Sequence, residues 1–193
     1  QFEFRSADGK PELLRGLAEE LVRLKVDIIV VWTGLAAIAA QQATTQIPIV
    51  MASAADPLGM GLIASLARPG GNITGMSSTA REIGPKLLEF IRALLPATRR
   101  VAVLANAADP FGKILIREVQ QGGQALGITI QAIEVRTTAE YEAAFAAMKK
   151  ARADAVIVQG SLTRKAAAEL ALKHRLPAVS FNGLFPKEGG LLS

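Results

Sequence analysis

Five short segments carry the side chains of this chain that could do chemistry: Thr33-Gly34, Ser53-Ala54-Ala55-Asp56, Asn106-Ala107-Ala108-Asp109, Gly160-Ser161 and Asn182-Gly183. Each follows an apolar run that reads as a strand. A Ser, Thr, Asp or Asn ahead of a helix satisfies the helix's free N–H groups whatever the protein does, so capping is the economical reading of any one of them. Together, small polar residues at five successive strand ends also leave room for a ligand, and helix N-termini beside them could hold a carboxylate or other anion.

Catalysis finds little support. The chain has no cysteine and a single histidine, His174. Disulfides, thiol nucleophiles and Cys-ligated metals are excluded, and a His-based metal site or a Ser-His-Asp triad is all but excluded. No pair of carboxylates stands at two strand ends in a way that suggests acid–base work, beyond the distant Asp56 and Asp109, and Glu82, Glu89, Glu118 and Glu169 fall on helices, facing solvent. The run Gly59-Met60-Gly61-Leu62-Ile63-Ala64 matches a dinucleotide-binding pattern on paper. However, Pro57 and its neighbours separate it from the preceding strand, so no tight strand-to-helix turn results, and a close helix approach explains the glycines better. No Walker A sequence is present, and Ser161 and Ser180 lack a G-x-S-x-G frame. Trp32 ends a strand and either stacks on a ligand or fills the core. His174 lies in the last turn of a helix, where it suits the dipole.

The elements that must position these segments follow from periodicity. Phe2-Glu3-Phe4 alternates like a short strand, and Leu13, Leu14, Leu17, Leu21, Val22 and Leu24 form a helical stripe behind Pro11. Ile28 to Trp32 is a continuous apolar run, as expected of a strand covered on both faces. A small-residue helix over 35–43 and a strand over 47–52 follow, then a short helix over 59–67 and a strand over 72–76. Next come a helix over 81–95, a buried strand over 101–105, a helix over 111–126 stopped by Gly127, and a strand over 128–133. Segments 139–152, 155–159, 163–174 and 178–181 complete a helix–strand–helix–strand series. Strands alternating with helices of this length mean an α/β fold with parallel sheets and right-handed crossovers, whose ligands sit beyond the carboxyl ends of the strands.

One passage occurs twice. Asp27-Ile-Ile-Val-Val-Trp32 leads through an Ala-rich stretch to Gln46-Ile47-Pro48-Ile49-Val50, and Asp154-Ala-Val-Ile-Val-Gln159 leads through another to Arg175-Leu176-Pro177-Ala178-Val179. A Gly-Gly pair lies downstream of each, at 70–71 and 189–190. A strand–helix–strand unit repeated this far apart implies two similar lobes, and two lobes imply a cleft that captures a ligand. In composition, half of the 193 residues are hydrophobic and a fifth are charged, enough for a substantial core. The net charge of +5 is scattered, with no basic run and few aromatics, which argues against nucleic-acid binding. No segment approaches the eighteen or so consecutive apolar residues of a membrane span.

The run Ile47-Pro48-Ile49-Val50, Asp56-Pro57, then Gly61-Leu62-Ile63-Ala64-Ser65-Leu66-Ala67-Arg68-Pro69-Gly70-Gly71-Asn72-Ile73-Thr74-Gly75 resembles the ABC-transporter substrate-binding protein family that includes the tryptophan- and other aromatic-amino-acid-binding lipoproteins. Pro11-Glu12-Leu13-Leu14, Asn106, Leu176-Pro177-Ala178-Val179 and Gly189-Gly190-Leu191 continue the resemblance. It implies a type I periplasmic-binding-protein fold with two Rossmann-like lobes: residues 1–74 as lobe one, 75–189 as lobe two, and 190–193 as the start of a second crossing. It also implies that the first strand of lobe one and the C-terminal return elements lie outside this chain. Ligand-binding positions carried over are Thr33, Gly34, Ala54 and Asp56 in lobe one, and Asn106, Asp109, Gly160, Ser161, Phe181 and Asn182 in lobe two, with no catalytic residue, metal or cofactor. Amino-acid binders of the family tend to carry an acidic residue near the position of Gly160-Ser161 for the ammonium group, and none stands there in sequence. The implied partners are a small-molecule ligand and an ABC permease, and the implied location is periplasmic or cell-surface, reached through an N-terminal signal outside this sequence. Two other readings use the same architecture: the effector-binding region of a transcription regulator, and a nucleotide-using enzyme.

Overall fold

The computed structural model describes residues 1–8, 10–78 and 80–193. The chain forms two compact units, Gln1–Thr79 and Ala80–Ser193, and each carries its own parallel sheet.

In unit one a 3-10 turn at Pro11–Leu13 leads into α1 (Leu14–Arg23), followed by β1 (Ile29–Val31), α2 (Gly34–Ala43), β2 (Ile49–Ala54) and β3 (Ile73–Ser77). The three strands lie in the order β1-β2-β3, all parallel. Ile29, Val31, Ile49, Met51 and Ile73 form a buried cluster with Ala37 and Ala40 of α2, against which Leu21 and Val22 of α1 pack. The alanines of α2 let its axis come close to the sheet. The Arg68 to Gly75 stretch is specific because nearly every residue in it has a backbone task. Ser65 Oγ accepts from Arg68 N and donates to Arg68 O, Gly70 turns at φ +82°, and Asn72 Nδ2 donates to the carbonyls of Thr44 and Ile47. Gly75 adopts φ +142°, with the Met51 backbone so close that a Cβ would stand 2.2 Å from Met51 O.

Three expectations for unit one are corrected. Phe2-Glu3-Phe4 is not a strand: among the described residues it has no ladder partner, Phe2 and Phe4 are 102% and 84% exposed, and alternation without a partner leaves the backbone unpaired. Residues 59–67 form turns instead of a helix. Asp56 Oδ1 accepts from Gly59 N at 2.8 Å and Gly61 sits at φ +72°, so side-chain capping and a left-handed residue take the place of a helical ladder. This also removes the dinucleotide reading, since no helix opens at Gly59. Finally, β1 is covered on one face only: Ile29 and Val31 are buried, whereas Ile28, Val30 and Trp32 are 54%, 68% and 75% exposed.

Unit two contains α3 (Ala80–Leu94), β4 (Arg100–Asn106), α4 (Pro110–Leu126), β5 (Thr129–Val135), α5 (Tyr141–Lys150), β6 (Ala155–Val158), α6 (Arg164–Lys173) and β7 (Ala178–Ser180). Its sheet is parallel with order β5-β4-β6-β7. Here the central strands are covered twice. Ala102, Leu104, Val156 and Val158 pack with Tyr141, Phe145 and Met148 of α5 and Ala167, Ala168 and Ala171 of α6. The residues of opposite parity, Val101, Val103, Ile157 and Val179, are equally buried, as are Leu115 and Val119 of α4 and Leu87, Leu88 and Ile91 of α3. Two contacts of α4 are close: a Cβ on Gly123 would stand 2.6 Å from Ile130 of β5 and 2.8 Å from Ile128 O, which leaves no room for it, and one on Gly122 would stand 3.1 Å from Pro85 of α3. Gly127 ends α4 at φ +64°, as its position in sequence predicts.

The repeated passage is repeated in its hydrogen bonds. Ile29 N donates to Pro48 O and Val156 N donates to Pro177 O, each at 2.9 Å, so each proline carbonyl starts a strand pair. Gly70 and Gly189 both take left-handed conformations, at φ +82° and +105°. After each Gly-Gly pair the chain joins a sheet in parallel: Ile73 pairs with Ile49, and Leu192 bridges Val179.

Two outcomes follow. Gly75→Ala should destabilise unit one by about 3 kcal/mol or more in chemical denaturation, combining a disfavoured φ with overpacking against Met51; a loss below about 1 kcal/mol would show that β2 and β3 can separate there. Val30→Lys should shift stability by no more than about 0.5 kcal/mol, whereas Val156→Lys should prevent unit two from folding, a contrast readable by circular dichroism of the two variants.

Candidate ligand-binding site

In unit one the residues marked by sequence gather where β1 and β2 end. Thr33 caps α2, its Oγ1 accepting from Ala36 N at 3.2 Å. Gly34 opens that helix with the flexible end of the Met60 side chain against it; a Cβ on Gly34 would stand 2.5 Å from Met60 Cε, and this contact brings the segment after β2 against the segment after β1. Asp56 is 8% exposed and organises that second segment through Gly59 N, while Met60 N donates to Asp56 O at 2.9 Å. Ala54 offers no side chain to an open surface: it is 1% exposed, belongs to the core cluster, and its carbonyl accepts from Ser78 N at 2.7 Å. Trp32 is exposed at the same strand end, which removes its reading as a core residue.

In unit two the corresponding segments are bound into a network. The side chain of Gln159, which directly follows β6, is buried, with only 1% of the residue exposed. Its Oε1 accepts from Asn106 N at 2.8 Å and its Nε2 donates to Asp109 Oδ2 at 2.8 Å. These two partners, one a donor and one an acceptor, fix the orientation of the amide. Asp109 caps α4 with its other oxygen, Oδ1 accepting from Phe111 N at 3.0 Å, and Asn106 Oδ1 accepts from Ala108 N at 2.9 Å. Ser161, two residues after Gln159, is exposed. Gly112, in the first turn of α4, has no room for a side chain, because a Cβ would stand 2.9 Å from Asn106 O and 3.1 Å from Gln159 Oε1.

Aromatic contact joins the third strand end. The Phe181 ring meets Phe111 edge-on at 6.1 Å, and Gly160 lies so near that a Cβ would stand 3.0 Å from Phe181 Cε2. Asn182 shapes the segment after β7, its Oδ1 accepting from Leu184 N at 3.1 Å. Asn106, Asp109, Gly160 and Phe181 are thus brought together within one linked cluster of unit two, with Ser161 directly after Gly160 and Asn182 directly after Phe181.

Burial pushes the Asp109 carboxyl above the ordinary aspartate range, and the nearby Ser161 hydroxyl together with the hydrogen bonds from Phe111 N and Gln159 draws it part of the way back. Its partners among the described residues are neutral, so no cation balances its charge. Asp109, from the end of a different strand, places a carboxylate next to Gln159 and so close to Gly160-Ser161, where the local sequence has no acidic residue.

Sequence reasoning missed Gln159. The available signal was a long polar side chain ending the wholly apolar run Ala155–Val158, where burial obliges it to find partners. His174 behaves as expected of a structural residue: its ring stacks on Phe145 at 6.0 Å and its Nε2 lies 3.2 Å from Glu142 Oε1. Glu118 departs from its reading as a solvent-facing group, being half-buried and 3.3 Å from Arg117.

Residues 1–190 match the family model described as ABC transporter substrate binding protein. The chain is 32% identical over 116 residues to a tyrosine-binding protein of Clostridioides difficile, an alignment covering 60% of this chain and 33% of that protein. Among solved structures it resembles an ABC domain from Streptococcus pneumonia in complex with L-Trp, with a TM-score of 0.90 and 23% identity, over 99% of this chain and 66% of the other. It also resembles a solute binding protein of an ABC transporter from Rhodopseudomonas palustris BisB5 in complex with 3,4-dihydroxy benzoic acid, with a TM-score of 0.65 and 20% identity, over 93% of this chain and 50% of that one. At these identities the structural likeness is one of fold, the type I periplasmic-binding-protein fold, and the chain spans a third of the curated relative and just under two thirds of the first structure. With residues 1–190 matched, the chain belongs to the ABC transporter substrate-binding protein family, whose members bind solutes and do not transform them.

Proposed function

We propose that this chain is the solute-capturing part of an ABC importer for an amino acid or small aromatic carboxylate, with the strand-end segments as its solute-contacting parts: those around Thr33, Gly34 and Asp56 in unit one, and those around Asn106, Asp109, Gly160, Ser161, Phe181 and Asn182 in unit two. One observation carries the reading: in a chain of the substrate-binding family, the linked polar cluster of unit two stands at the carboxyl ends of parallel strands, where such sheets take their ligands. Relatives support the choice of solute, since the similar proteins include a tyrosine-binding protein and complexes with L-Trp and 3,4-dihydroxy benzoic acid. The exposed Trp32 and the Phe181 ring supply apolar, stackable surface, and helix N-termini behind Thr33 and Asp109 supply N–H groups. The partner of such a component is an ABC permease, and its place is the periplasm or the cell surface, where a lipoprotein anchor would hold it near the permease.

Thermal-shift titration with L-tyrosine, L-tryptophan, 4-hydroxybenzoate and 3,4-dihydroxybenzoate tests the reading. A solute present at a hundred times its Kd should add about 2.7 kcal/mol and raise the melting temperature by roughly 5 °C or more. If none of the four stabilises the chain while a nucleotide or DNA does, the reading is wrong.

The Asp109 environment generates a second outcome. A carboxyl whose folded value is raised contributes stability that is fully present below its unfolded value, about 3.9, and is lost as pH rises through the raised folded value. In the difference between wild type and Asp109→Asn, wild type should therefore lose stability relative to the variant as pH rises across that window and level off above it. A gain by wild type over the same window would show that its hydrogen bonds outweigh burial.

A further inference from the structure

Parallel pairing gathers the amino ends of the strands on the edge opposite the carboxyl ends, and in unit two that edge is basic. Positive charge that is scattered in sequence is collected there by the segments leading into β4, β6 and β7. Arg99 precedes β4 and Arg100 starts it, Arg152 lies between α5 and β6, and Arg175 lies between α6 and β7. Hydrogen bonds hold these segments side by side. Asp154 Oδ2 accepts from Arg99 N and Arg100 N, Arg100 Nη1 donates to Ala151 O, and Val156 N donates to Pro177 O. Lys149 and Lys150 close α5, and Lys173 closes α6, all three exposed.

The carboxylates tied into these segments are already engaged. Asp154 is spent on the two amides, and Glu142 takes Lys173 at 2.9 Å and lies 3.2 Å from His174 Nε2. Among the described residues, no carboxylate pairs with Arg99, Lys149, Lys150, Arg152 or Arg175.

Cations in the last turn of a helix suit its dipole, which accounts for the lysines without any partner. Arg152 and Arg175 are different. Each follows a helix C-cap, Ala151 or His174, and takes a left-handed conformation, at φ +57° and +52°. Glycine is the usual residue there, and Gly127 fills the matching place after α4 at φ +64°. A residue with a Cβ is disfavoured at such a φ. Among the described residues of unit two, no other non-glycine residue stands at positive φ. Unit two thus keeps a long cationic side chain at two places where its backbone favours glycine, and strain retained at a particular place points to a task for the side chain. Apolar surface accompanies the charge. Leu94 and Leu172, in the last turns of α3 and α6, are 54% and 63% exposed. A phosphodiester chain offers those leucines nothing, whereas the headgroup boundary of a bilayer takes both cations and apolar tips.

We infer that the amino-end edge of unit two is a peripheral docking surface for an anionic membrane, with Arg152 and Arg175 reaching lipid phosphates and Leu94 and Leu172 at the headgroup boundary. Contact through this edge leaves the strand carboxyl ends of unit two turned away from the lipid. It requires no bound solute, so it stands or falls separately from the solute-binding reading.

Co-sedimentation of the full chain with vesicles of phosphatidylcholine containing about one third phosphatidylglycerol tests this. The chain should bind these vesicles at least about tenfold more tightly than pure phosphatidylcholine, and release as salt rises from about 50 to about 300 mM. Arg152→Gly combined with Arg175→Gly should weaken that binding about tenfold or more, since each cation near the surface adds to the attraction. The melting temperature of the same variant should hold or rise, because glycine relieves both left-handed positions. Loss of binding without loss of stability is a result that unfolding cannot produce. Lys113→Gln combined with Arg117→Gln removes the same charge from α4 and should leave vesicle binding within about twofold of wild type. Equal losses in the two double variants would trace binding to overall charge and overturn the proposal. So would full binding by the glycine variant, or binding of wild type to duplex DNA or polyphosphate with none to the anionic vesicles.

Discussion

Within each unit, every strand pair is parallel, and most of what is distinctive about this chain follows from that constraint. Parallel pairing forces each strand to be followed by a crossover that returns the chain to the same starting edge. All carboxyl ends of one sheet then lie along one edge, and the segments after them become neighbours whatever their separation in sequence. This is how Asn106 and Asp109 come within reach of Gln159, about fifty positions away, and how Phe181 comes to rest beside Phe111 and Gly160. The repeated strand–helix–strand passage is the same constraint met twice, down to the proline carbonyls of Pro48 and Pro177 that begin the pairing.

The two units meet the demands of burial differently. In unit two, residues of both parities along β4 and β6 are fully buried, by α5 and α6 on one face and beneath α3 and α4 on the other. In unit one, the cluster formed with α1 and α2 covers one face, while Ile28, Val30, Trp32 and Met76 remain open to solvent. Several polar groups have specific partners, while Arg92 Nε, Thr98 Oγ1 and Gln131 Oε1 are buried without a hydrogen-bond partner among the described residues. The buried Ser180 donates to Val158 O, the half-buried Asn72 donates to two carbonyls, and the exposed Asp154, which opens the second copy of the repeated passage, accepts from the amides of Arg99 and Arg100. Each ties a loop or strand end to another element, so these polar residues act as fasteners. Gln159 and Asp109 belong to this group by their hydrogen bonding and differ from it in standing beside an exposed serine.

Much of this was legible in the residues themselves. The apolar runs 101–105 and 155–159 with helices between them announce buried parallel strands, Gly127 marks the end of α4, and the Arg68–Gly75 stretch is distinctive because glycine, asparagine and proline at those places each serve the backbone. Where local pattern misled, a competing local interaction or an absent partner is the cause. The glycines near 59–61 with Asp56 ahead of them favour capped turns over a helix, and the alternation of Phe2-Glu3-Phe4 says nothing about whether another strand lies beside it.

Periodicity and turn chemistry act over a few residues, so the sequence by itself determined the kinds of elements, most of their limits, the parallel α/β class, and the strand-end segments as the place to look. Its absence of cysteine and its lone histidine also determined what chemistry those segments could not do. Only the tertiary structure decided which side chains turn inward and which face solvent, because that depends on contacts between residues tens of positions apart. It turned Ala54 into the core, left Trp32 exposed, delivered an acidic group close to Gly160-Ser161 from another strand, and gave Gln159 its two partners. A hydrogen bond of 2.8 Å between Gln159 and Asp109 has no signature in local sequence, since what creates it is the register of two parallel strands.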